Sequence, residues 1–130
     1  MSGKRLIEPD FTNLTELKQW RYEMIDAKTA ELIKQGFGYQ GKQFSLSQNA
    51  QINIIGLDNA KDDPAITYPI KYNTIDDLDS YDVIDSSDVH NMYLSALATK
   101  KAYVDSGTTL KQQVRSATTI AEVNAIIDNR

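Results

Sequence analysis

The segment "SSDVHNMYLSALATKKAYVDSG", residues 86–107, constrains this chain more than any other. Val89, Met92, Tyr93, Ala96, Leu97, Tyr103 and Val104 recur at the three- and four-residue spacing of one helix face. A strand would alternate in twos, so the pattern commits residues 87–106 to an amphipathic helix. Ser86 or Ser87 starts it and Gly107 ends it. Such a helix needs other elements to cover its apolar side, and the rest of the chain must supply them.

The first of these is "NLTELKQWRYEMIDAKTAELIKQG", predicted as a helix over 13–35 because it holds good helix formers and no internal Gly or Pro. Asn13 or Thr15 can cap it, and Gly36 suits the left-handed residue that closes many helices. Leu17, Trp20, Met24 and Ala27 share one face, while Ile25, Leu32 and Ile33 extend apolar surface around the side. More than one apolar stripe fits packing within its own domain and self-association alike. In "FGYQGKQFSL", Phe37 and Tyr39 alternate, as do Phe44 and Leu46, about Gln40-Gly41, which predicts a hairpin over 37–46. Gly36, Phe37, Tyr39, Gly41 and Phe44 then form a scaffold hairpin, its aromatics serving as core. Ser45 or Ser47 caps a second helix, 47–61, with Ile54, Ile55 and Leu57 on its apolar side. "ITYPIKYNTIDDLDSYDVI" alternates and predicts a second hairpin over 66–84, with Pro69 at an edge position. Two short helices follow, 108–117 and 119–128, the latter with a Thr119/Glu122 capping box and Ile120, Val123, Ile126 and Ile127 pointing inward.

The fold class is therefore α+β: a mainly helical small domain, residues 13–130, with one or two short antiparallel hairpins packed on a long N-terminal helix, a long central helix and two short C-terminal helices. Residues 1–12 read as an N-terminal tail or docking arm. At 130 residues, with 41% hydrophobic and 25% charged residues, the chain can bury a real core.

The chemistry is narrow. There is no cysteine, so disulfides, thiolate metal sites and cysteine nucleophiles are excluded. The sole histidine, His90, has no nucleophile-elbow serine to work with and reads as a helix-surface residue. Neither a phosphate-cradling GxxxxGK[ST] loop nor a strand-linked GxGxxG occurs. A net charge of −4 argues against nucleic-acid binding, and no apolar run is long enough for a membrane span. No apolar run follows the basic pair of "MSGKRLIEPDF", so the start does not read as a signal peptide. Residues 58–88 hold nine Asp against Lys61 and Lys71. The calcium-loop pattern fails there: counted from Asp77, Tyr81 stands fifth, no central glycine follows, and Asp88 stands twelfth. The acidic stretch reads as a solvated turn and helix start. No cofactor, metal or catalytic residue is implied, and the protein reads as a non-enzyme.

Two stretches, "RYEMIDAKTAELIKQGFGYQGKQFSLSQNAQINIIGL" and "LKQQVRSATTIAEVNAIID", resemble a phage and prophage family of unknown function. Its members are small proteins, or terminal domains, encoded among tail, tail-fibre and baseplate genes. The resemblance runs over residues 21–128 in order and carries no catalytic residues. It implies a virion structural protein, tail, tail-fibre or baseplate associated, whose partners are other phage structural proteins and which acts by protein–protein docking. The alternative is a tail-fibre assembly chaperone or adaptor absent from the mature particle. Leu6, Ile7, Phe11, Leu17 and Trp20 are the candidate docking residues, with a homo-oligomer through the N-terminal helix as a further expectation and own-domain packing as the competing one.

Overall fold

Asn13 opens the first helix in the computed structural model, which describes residues 12–130. Its side chain accepts from the Glu16 N–H at 3.1 Å and its carbonyl from the Leu17 N–H at 3.0 Å, satisfying donors that have no partner within the helix. The elements run α1 (Leu14–Lys34), β1 (Phe37–Tyr39), β2 (Lys42–Phe44), α2 (Gln48–Ala60), β3 (Ile70–Asn73), β4 (Ser80–Val83), α3 (Ser86–Ser116) and α4 (Ile120–Asn124). The architecture is a small α+β one, four helices with two antiparallel hairpins. Its described residues group into two units. One comprises the chain up to Lys28 together with Ser106–Arg130; the other is Thr29–Asp105.

In the Thr29–Asp105 unit, the first hairpin pairs Phe37 with Phe44 and Tyr39 with Lys42. Gln40 and Gly41 both have positive φ, 52° and 75°, the geometry of a two-residue turn matched to strand twist. The second hairpin pairs Ile70 with Val83 and Tyr72 with Tyr81. The Ile75 N–H donates to the Gln43 carbonyl at 2.9 Å and so ties the two hairpins together. Phe37, Phe44, Leu46, Ile54, Val83, Val89, Met92 and Ala96 form the core, with Phe44 at the centre of edge-on contacts to Tyr72 and Tyr81. The acidic turn between β3 and β4 is closed by its own donors and by Lys42 of β2. Asp76 accepts from Thr74 Oγ1 at 2.7 Å and from the Leu78 N–H at 3.0 Å, and Asp79 pairs with Lys42. The bonds from Thr74 and Leu78 hold the Asp76 carboxyl below its ordinary pKa, the Thr74 hydroxyl contributing most.

The other unit gathers Leu17, Ile25, Val114, Ala117 and Val123 into a separate core, with Trp20, Tyr22 and Leu110 packed against it. Lys18 Nζ donates to the Arg115 carbonyl at 2.8 Å, and Lys111 Nζ to Asp26 Oδ1 at 2.7 Å. The Arg21 guanidinium donates to the Val123 carbonyl at 3.0 Å and to the Ile126 carbonyl at 2.5 Å.

Three expectations change. The helices predicted at 87–106 and 108–117 are one, because α3 runs through Gly107. A glycine inside a helix costs about 1 kcal/mol. Gly107 is buried here, and continuing the helix places Val114 and Ala117 in a core, which outweighs that cost. α3 begins at Ser86, as read from the sequence, but its cap is Asp85 rather than a serine: the Asp85 side chain accepts from the Asp88 N–H at 2.8 Å. The last helix, predicted over 119–128, stops at Asn124, where the Ile126 N–H turns back to Val123 and Arg21 takes the freed carbonyls. Ile127 is consequently exposed.

Candidate docking face

The site is built on the hairpins and on Asp88, the one charged residue in the buried interior among the described residues. Its carboxylate accepts from Tyr39 Oη at 2.5 Å, Tyr81 Oη at 2.7 Å and the Ile84 N–H at 3.0 Å. Burial opposes the Asp88 charge, yet the bonds from Tyr39, Ile84 and Tyr81 outweigh it and hold the pKa below the usual carboxylate range. The same carboxylate, together with burial, pushes the Tyr81 phenol up to about 12. β1, β4 and the first turn of α3 therefore meet on one carboxylate, which fixes where α3 starts.

α2 then lies antiparallel to α3. His90 Nδ1 sits 2.9 Å from Asp58 Oδ1 at one end, and Lys100 Nζ donates to Gln51 Oε1 at 2.7 Å at the other. Gln51 also donates to the Leu46 carbonyl at 2.7 Å, so α2 is fastened to the end of the first hairpin. Between these polar ties Leu46, Ile54, Ile55, Tyr93, Ala96 and Leu97 line a shallow apolar hollow of about 60 Å³. Ile54 and Ala96 form its floor and are buried. Ile55 and Leu97 are 47% and 50% exposed, and Ile52 at 59% and Leu94 at 44% continue the same helix faces outward. Gly56 lies beside Ile55 with nothing within 4 Å of where a side chain would begin. The result is an apolar strip on two fastened helices.

A wider hollow of about 450 Å³ in the other unit is lined by Tyr22, Asp26, Thr108, Lys111, Gln112 and Arg115, and the Lys111–Asp26 ion pair is formed by two of its walls. It is a braced polar surface rather than an apolar one.

The residues singled out from sequence divide sharply. Leu6, Ile7 and Phe11 lie outside the described residues. Leu17 is 2% exposed in a core and Trp20 packs against that core, so the own-domain alternative describes both. Gly36, Phe37, Tyr39, Gly41 and Phe44 all sit in or beside the first hairpin, with Phe37 and Phe44 fully buried. Sequence reasoning missed Asp88, read as one of a run of solvated acids, and missed that Ile55 and Leu97 face outward. The signal for the second was present: the α3 stripe from Met92 to Val104 is wider than one covering layer needs. Asp88 gave no such signal, since only folding brings Tyr39 and Tyr81 to it.

Among the described residues no helix is long and apolar enough to cross a membrane. Residues 13–128 match the family model described as a domain of unknown function, DUF4376. No curated protein matches the chain, and no solved structure does.

Proposed function

The chain belongs to the DUF4376 family of domains of unknown function, and from that premise we propose a non-enzymatic structural protein of bacteriophage particles, associated with tail, tail fibre or baseplate, that works by protein–protein docking. The observation that carries the docking reading is the strip of Ile52, Ile55, Leu94 and Leu97. Four large apolar side chains held half in water on adjoining helices favour a surface that is covered in use. The phage setting is supported by the sequence resemblance to proteins encoded among tail genes. In this reading the protein is made in the host cytoplasm and resides in the virion.

Mass spectrometry of purified particles, quantified against the major capsid protein, tests it. A fixed, appreciable copy number is the expected result. Absence from particles, with the protein present in infected-cell lysate, overturns the virion reading in favour of an assembly chaperone or adaptor.

A further inference from the structure

We propose that the α2–α3 face is where two copies of this chain meet, related by a two-fold axis through the centre of the apolar strip. The inference rests on the docking reading of that face and names its occupant, and it does not depend on the virion setting.

The argument for a second copy comes from how charge is laid out along the strip. Because α2 and α3 are antiparallel, the end of α2 near Asp58 adjoins the start of α3 at His90, and the start of α2 near Gln51 adjoins Lys100. The first end is acidic. Asp58 stands there paired with Lys61 and His90, and Asp62 and Asp63 follow it, both exposed just beyond the end of α2. The second end is basic, with Lys100 and Lys101 against Asp105, and Lys101 continues the spacing of Leu94 and Leu97. A surface that is apolar in the middle, acidic at one end and basic at the other complements itself when turned through 180° about its centre. Each acidic end then meets the partner's basic end, and the apolar strips close on one another. That is the requirement for an isologous interface. A partner of uniform charge would meet repulsion at one end or the other. Gly56 adds room beside Ile55, where two helices can approach without a side chain between them.

The test is sedimentation velocity of the full chain over a wide concentration range, with four forms compared: wild type, Leu97→Glu, Lys101→Glu, and the double reversal Asp62→Lys/Lys101→Glu. Leu97 is half exposed and Glu is a good helix former, so the first variant keeps its fold, checked by circular dichroism. The wild type is expected to be a reversible dimer. Leu97→Glu should weaken it at least about a hundredfold by placing charge in an apolar contact. Lys101→Glu should weaken it roughly tenfold, since the two-fold axis repeats each lost pair. The double reversal should restore association to near wild type, because the two swapped positions again meet opposite charge across the axis.

A wild type that stays monomeric overturns the proposal, as does a dimer indifferent to Leu97→Glu and Lys101→Glu. A dimer weakened by Lys101→Glu that the double reversal does not rescue overturns the two-fold arrangement. If the wild type is monomeric while Leu97→Glu is lost from particles that incorporate the wild type, the second copy is wrong and the docking reading survives with a different occupant. A dimer that obeys the double reversal but is missing from particles keeps the proposal and removes the virion setting.

Discussion

At Gly36 the backbone leaves α1 with φ +81°, a conformation that side-chain-bearing residues rarely adopt, and a Cβ there would collide with the Phe44 carbonyl. A carbonyl in a paired strand cannot swing aside as a flexible side chain can. Gly36→Ala should therefore destabilise the protein by at least about 2 kcal/mol, read as a fall in the urea midpoint, combining left-handed strain with displacement of β2. Asp88 makes a different kind of demand, one that varies with pH. Its pKa is held low in the fold, so its stabilising contribution is present above the ordinary value of 3.8 and is lost as pH falls through the lower folded value. For Tyr81 the sign is opposite. The fold raises its pKa from 10.0 to about 12, so that contribution is complete below pH 10 and lost as pH rises toward 12. Ultraviolet titration of the phenols should include a component ionising near 12, and Tyr81→Phe should remove that component. A phenol of unshifted pKa at position 81 would contradict the shared-carboxylate geometry.

Element by element, α2 presents the clearest opportunity for stabilisation. Gly56 sits in the helix interior with open space around it, so no packing within the chain requires a glycine. Gly56→Ala should raise stability by about 0.5–1 kcal/mol through helix propensity alone, measured by chemical denaturation in dilute solution. The helices also reveal what can be read from a sequence. α1, α2 and most of α3 were legible because periodicity and caps are local signals, and Asn13 and Ser47 do cap as their positions suggest. The hairpin at 37–44 was legible from Gln40-Gly41 between alternating aromatics. The continuation of α3 through Gly107 was not, because its cause is burial against residues far away in sequence. The early end of α4 depends likewise on Arg21, about a hundred positions upstream. The candidate docking face was half legible: Ile55 and Leu97 stood out as apolar positions, Ile52 and Leu94 did not, and the direction of all four depended on the antiparallel placement of α2 and α3.

For the whole molecule, the two cores share no residue, yet α1 and α3 each supply side chains to both. The only tryptophan, Trp20, packs against the Leu17–Val123 core, so its fluorescence reports on that core. Val83 is fully buried in the other. Val83→Ala should cost roughly 2 kcal/mol. Because the same helices run into both cores, tryptophan fluorescence should fall at the same lowered temperature as helical ellipticity. Two separated transitions would mean that the cores melt independently. The carboxylate of Asp88 has a consequence on another timescale, that of descent. Positions 39, 81 and 88 come from three elements but answer to one bond set, so a lineage that loses the acid leaves the Tyr81 phenol without its acceptor and the Tyr39 phenol with only the main-chain carbonyl at position 88. Drift at any one of the three invites change at the others, and across diverging relatives they should be inherited, or replaced, as a set.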